Sequence, residues 1–230
     1  MLTDAALAMD ALYSTYEQAV RSDEVAASAM FAKAVADGIS SEWRARDGRI
    51  VDLLVDNGRY ADLVIVGQYE PEGPPMATPA DLVEQVAMTT ERPVLAMPYI
   101  GALKPPGNNV MVCWNDSREA VRATTGALPV LKTAASVSLL TIDPVEPRGG
   151  GDPGADLVRW LARHGITATV QRDSAEGSSV GEVILSRAAD LGVDLIVMGV
   201  YGHSRMRELV LGGASRTLLS SMTVPLLLAH

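Results

Sequence analysis

The chain has 230 residues, 48% of them hydrophobic and 20% charged, with a formal net charge of −9. That length suits one large domain or two small ones, and so acidic a balance disfavours general binding to nucleic-acid backbones. No apolar run reaches the roughly 18–20 residues of a membrane span, and the first residues, MLTDAALAMD, lack the basic start and apolar core of a secretory signal. The single Cys113 excludes an intrachain disulfide and suits a reducing compartment, so a cytoplasmic location is expected.

Residues 3–36, alanine-rich and free of glycine and proline, predict a helix. A helical pattern at 49–59 feeds a short apolar strand at 63–66. A helix at 79–90 follows, then a strand at 94–97 entered through Pro93. The stretch IGALKPPGNN (100–109) carries the turn punctuation of a linker. Beyond it, 110–114 reads as a strand, 117–131 as a helix and 136–142 as a second strand. DPVEPRGGGDPG (143–154) reads as a flexible loop. The chain then runs through a helix at 180–191, a strand at 195–198, a helix at 213–221 and a strand at 226–229.

The chain also repeats itself. YADLVIVGQY (60–69) resembles GVDLIVMGVY (192–201), so that Asp62 matches Asp194 and Gly67 matches Gly199. Pro93 matches Pro225 at the same spacing of 132 residues (194 − 62, 199 − 67 and 225 − 93). Continuous apolar strands between helices signal a parallel sheet covered on both faces, an α/β fold. The strand at 110–114 has no counterpart in the first copy, because the equivalent position precedes Met1. Residues 1–100 are therefore expected to be an incomplete, degenerate first domain and residues 108–230 a complete second one. The missing part is either encoded upstream or lost. The apolar strands at 94–97 and 226–229 would be exposed edges unless paired, so they are expected to pair with each other as a pseudo-dimer within the chain. The apolar surface left by the incomplete copy points to a homodimer besides.

Gly199 closes a strand, Gly202 follows it, and Gly212 and Gly213 precede a helix. Free N–H groups at a helix start, with the positive end of its dipole, attract anions, and absent side chains let a ligand approach the main chain. Neither GxxxxGK[ST] nor a GxGxxG opening a helix is present, which disfavours P-loop nucleotide hydrolases and ordinary dinucleotide dehydrogenases.

The spacing strand-GxxG, nine residues, then glycine and a small residue, here GHSRMRELVLGG (202–213) after DLIVMG, resembles the nucleotide signature of the universal stress protein family. The resemblance spans the whole chain as a tandem pair. It implies the adenine nucleotide alpha hydrolase-like fold, with strand order 3-2-1-4-5 and domains that meet along their last strands. In members that bind ATP or AMP, phosphates lie against the glycines, and base and ribose lie against the ends of strands one and two. Carried over position by position, Gly199, Gly202 and Gly212 match, with His203 and Arg205 inside the signature. Gly213 stands where ATP-binding members have Ser or Thr, Ala214 follows it, and Ser215 offers a hydroxyl two residues on. Asn115 takes the place of the strand-one Asp, with Cys113 and Trp114 before it; Ile142 matches the strand-two apolar contact and Met198 the residue before the glycine.

What this implies is an adenine-nucleotide binding module of the stress response. At most slow ATP hydrolysis is expected, with no catalytic residue and no protein metal site, Mg2+ arriving only with nucleotide. The alternative is a nucleotide-independent dimerising interaction protein, favoured by Gly213, Asn115 and Trp114. The first copy, with Glu70 and Glu72 where phosphate would sit, reads as structural.

Overall fold

Uninterrupted by glycine or proline, the first segment forms a 33-residue helix, α1 (Leu2–Ala34). Phe31 near its end packs against Trp43 beyond it, the ring centroids 5.6 Å apart. The computed structural model describes residues 2–35, 38–71, 79–101, 104–143, 154–200 and 213–230. They divide into two units, Met1–Arg49, which carries α1, and Ile50–His230, which carries everything else.

The second unit runs α2 (Ile50–Gly58), β1 (Val64–Gly67), α3 (Leu82–Thr89), β2 (Val94–Met97), β3 (Asn109–Cys113) and α4 (Arg118–Leu131). It continues through β4 (Ser136–Ile142), α5 (Ala155–Arg163), β5 (Ala168–Asp173), α6 (Val180–Asp190), β6 (Leu195–Gly199), α7 (Gly213–Ser221) and β7 (Leu226–Ala229). Every helix and strand expected from the sequence is present within a residue or two at most ends.

Its strands form a single seven-stranded sheet in the order β1-β2-β7-β6-β3-β4-β5. The last five, β5-β4-β3-β6-β7, are the second copy, standing third-second-first-fourth-fifth in its own count. The sheet is larger than a five-stranded domain because β1 and β2 extend it past β7. All pairings are parallel except that of β2 with β7, which is antiparallel with Val94 opposite Leu228 and Ala96 opposite Leu226. The expected intrachain pairing of last strands is thus made.

Strand alternation divides the core between two faces. Val64, Val66, Met111, Ile196 and Leu228 pack under α2, α3, α6 and α7. Val110, Val112, Leu139, Val197 and Leu227 pack under α4 and α5. Full burial of each such side chain stabilises by about 1.5–3 kcal/mol, which explains why the strands read as unbroken apolar runs. The outermost strands break that rule. In β1, Val64 and Val66 are buried while Ile65 is 62% exposed. Only one of its faces is covered among the described residues.

α5 and β5 are the elements that the sequence pattern left unassigned. α5 buries only Leu157 and Leu161, a thin stripe at i,i+4. β5, at the sheet edge, reads ATVQRD and buries no residue fully, so it has no apolar run to betray it.

The repeated aspartate shows what the second copy has and the first lacks. Asp194, just before β6, accepts backbone N–H bonds from Gly107 at 2.9 Å, Asn108 at 3.1 Å and Asn109 at 3.1 Å. It clasps the chain where it enters β3. Asp62, its counterpart, is exposed, and among the described residues no strand stands beside it as β3 stands beside Asp194. Asp194→Ala is expected to cost about 2 kcal/mol, because charge-assisted bonds to three amides are lost together. Chemical denaturation would register it, and Asp62→Ala should leave the midpoint unchanged.

Candidate functional site

The order in which successive strands join the sheet reverses at β3, which runs parallel to its neighbour β6: β4 and β5 lie on one side of β3, β6 and β7 on the other. At such a switch point the loops leaving the two central strands diverge and open a crevice at their C-terminal ends. Cys113, the last residue of β3, is level with Met198 of β6, so Asn115 and Gly199 follow at the same edge.

Local hydrogen bonds fix the turn that leaves β3. Asn115 Oδ1 accepts from the Ser117 N–H at 3.2 Å, and Ser117 caps α4 by accepting from the Ala120 N–H at 3.1 Å. Asp116 adopts a left-handed φ of 56°, which its short polar side chain tolerates. The Trp114 indole N–H donates to Asp116 Oδ1 at 2.9 Å.

The strand pleat separates the residues expected to line one pocket. Cys113, Ile142 and Met198 belong to the face under α6 and α7. Trp114 belongs to the opposite face. There it lines a cavity of about 310 Å³ between α4 and α5, with Val121, Thr124, Leu157 and Trp160. Burial pushes the Cys113 thiol up to about 12, so at neutral pH it stays protonated and is no nucleophile.

Gly199 has a packing reason to be glycine. A Cβ built there would lie 2.7 Å from the Glu119 Cβ and closer still to the main chain of Glu119 and Ala120. The end of β6 therefore presses directly on the first turn of α4. Gly213, which opens α7, is exposed and would bring a Cβ within 4 Å of nothing. Ala214 is half-buried, and Ser215 is buried at 5% exposure in the first turn of α7. Gly202, His203, Arg205 and Gly212 lie outside the described residues.

A residue that the sequence pattern did not flag also stands here. Glu119, in the first turn of α4, is 1% exposed. One carboxylate oxygen accepts from Arg118 Nε, while the other, Oε2, has no hydrogen-bond partner among the described residues. Burial alone would push this carboxyl up, but hydrogen bonds from Arg118 and its own backbone, with the Arg118 charge, outweigh it and hold it below the usual carboxylate range. Nothing in the run NDSREAV marks Glu119 as buried, since charged residues in a first helical turn are ordinarily exposed. Only the approach of β6 reveals it.

Among the described residues no group of three or more His, Cys, Asp or Glu side chains could hold a metal ion, and no helix is long and apolar enough to cross a membrane.

Residues 107–230, more than half of the chain, match the model of the universal stress protein family. No curated protein is significantly similar to the sequence. Among solved structures, the chain resembles a universal stress protein from Archaeoglobus fulgidus DSM 4304 with a TM-score of 0.60 and 19% identity. That likeness covers 78% of this chain but 66% of the other, so the chain spans just under two thirds of its length. It also resembles a functionally unknown protein from Pseudomonas aeruginosa PAO1, with a TM-score of 0.55 and 13% identity over 92% of this chain and 77% of that one. At these identities the likeness is one of fold. With the matched segment containing the complete repeat, the switch-point crevice and the glycines around it, the chain belongs to the universal stress protein family.

Proposed function

We propose that the chain is an adenine-nucleotide binding module of the stress response, taking ATP or AMP at the C-terminal edge of its second copy. The observation that carries this reading is the shared edge of β3 and β6, where Asn115 and Gly199 leave adjacent strands. α7 begins with Gly213, where an added Cβ would meet nothing within 4 Å among the described residues. Amides of a helix start favour phosphate, and Asn115 offers both donor and acceptor to a base or ribose edge. Cys113, Ile142 and Met198 supply an apolar wall on one face. Gly202, His203, Arg205, Gly212, Ala214 and Ser215 complete the proposed set, whereas Trp114 stands on the opposite face and drops out of it. Mg2+ would enter only with the nucleotide. No general base stands near the proposed phosphates among the described residues, so function follows from ligand-dependent shape or partner choice, with slow hydrolysis at most. Residues 1–100 serve as a degenerate copy that extends the sheet, in a cytoplasmic protein that pairs as a homodimer.

Pure protein would be heated and the supernatant resolved by HPLC, alongside melting with and without millimolar ATP. Adenine nucleotide in the supernatant and a rise in melting temperature are expected, both abolished by Gly202→Asp or Gly212→Asp. A ligand at 100 times its Kd stabilises by about 2.7 kcal/mol, enough to move the melt by several degrees. Absence of nucleotide and of any shift would instead favour a nucleotide-independent interaction platform. The tethering of the Trp114 indole to Asp116, which holds the ring on the far face, is the observation on that side.

A further inference from the structure

Glu119 is a buried acceptor whose need the described residues leave unmet. Its side chain is 2% exposed, whereas that of Arg118, which serves its other oxygen, is 76% exposed. Its Cβ lies 2.7 Å from where a side chain on Gly199 would begin, so the carboxylate stands beside the end of β6. Asn115 and the cap Ser117 precede it in the same turn. Site, helix start and unpartnered oxygen coincide.

An ionised carboxylate only accepts hydrogen bonds. Phosphate oxygens at neutral pH are likewise acceptors, so a polyphosphate cannot satisfy Oε2 and would be repelled by it. The hydroxyls of a sugar and the exocyclic amine of a base are donors. Of these, two vicinal hydroxyls offer the better match to the free oxygen of a carboxylate whose other oxygen takes a guanidinium, because either can turn its proton toward it. We infer that Glu119 is a ligand-binding residue that accepts a hydrogen bond from the sugar hydroxyls of the bound nucleotide. The inference rests on the nucleotide reading above and assigns the sugar end of that site. Discrimination against a sugar that lacks both hydroxyls follows, because a buried acceptor that loses its donor is left unsatisfied.

Titration calorimetry of the wild type and Glu119→Ala with ATP, 2′,3′-dideoxy-ATP and ITP, together with the melting temperature of each protein without ligand, tests it. The wild type is expected to bind dideoxy-ATP at least tenfold more weakly than ATP. Glu119→Ala is expected to bind both equally, at about the wild type's dideoxy-ATP level. ITP should match ATP in both proteins. Unliganded Glu119→Ala should melt close to the wild type, because the pairing lost at the other oxygen is with a largely exposed Arg118 and the loss of the unpartnered buried oxygen offsets it. Should the alanine variant fold poorly, Glu119→Gln, of nearly equal volume and with one acceptor, is expected to show reduced but measurable discrimination. Undiminished discrimination in the variants, or a lowered melt with unchanged affinities, overturns the inference by making Glu119 structural. A loss confined to ITP also overturns it, since the partner would then be the base amine. Failure of both proteins to bind any nucleotide removes the underlying reading, a result distinct from binding without discrimination.

Discussion

Gly199→Ala is expected to lower the unfolding free energy by about 3 kcal/mol, while Gly213→Ala changes it by less than about 0.5 kcal/mol. Both glycines belong to the same signature, yet their surroundings differ. At Gly199 a methyl group would strike the main chain of Glu119 and Ala120, and main chain in the first turn of a capped helix has no rotamer by which to retreat. Either α4 lifts away from the sheet or β6 shifts from β3, and each movement opens the core packed between them. At Gly213 nothing among the described residues lies within 4 Å of the added atom, and alanine is a better helix residue than glycine. Urea denaturation would separate them by midpoint at constant slope. Equal midpoints for the two variants would mean that the contact between β6 and α4 is looser than described and that ligand binding alone explains the glycine at 199.

That contrast bears on how the site could be read from sequence. The 132-residue spacing of Asp62 and Asp194, Gly67 and Gly199, and Pro93 and Pro225 marks four of the seven strands in the sequence itself. It succeeds because β2, β6 and β7 are buried on both faces as apolar runs, and β1, though exposed on one face at Ile65, repeats the apolar run of β6. β5 escaped because an edge strand may be polar, and ATVQRD looks like loop. The pocket list was only partly legible for a different reason. Cys113 and Trp114 are neighbours in sequence, but the pleat sends them to opposite faces of the sheet, and the indole then meets Asp116 and the helices α4 and α5. A family pattern names positions at a strand end without saying which side each occupies. Glu119 was not legible at all. Its burial depends on β6, which arrives about 80 residues later in the chain, and no local pattern encodes that approach.

Leu228→Ala is expected to destabilise both copies of the second unit together, by about 3 kcal/mol. Leu228 is fully buried in β7 and lies opposite Val94 of β2 while β7 also pairs with β6. β7 is therefore an interior strand of a sheet that crosses from one copy to the other, not an edge. A cavity opened there is lined by residues from both sides, including Val94 and Met198, which belong to one continuous core. Were the halves independent modules in loose contact, β1 and β2 would open on their own, since two strands with two short helices bury too little apolar surface to stand alone. Hydrogen exchange read by mass spectrometry distinguishes the cases. In the wild type, amides of β1–β2 and of β3 and β6 should exchange with the same opening free energy, and Leu228→Ala should lower both by the same amount. Early exchange of residues 64–97, with β3 and β6 unaffected by the substitution, would show that the first copy is an appendage. Common lowering would make β1 and β2 an integral part of the sheet that carries the proposed nucleotide edge.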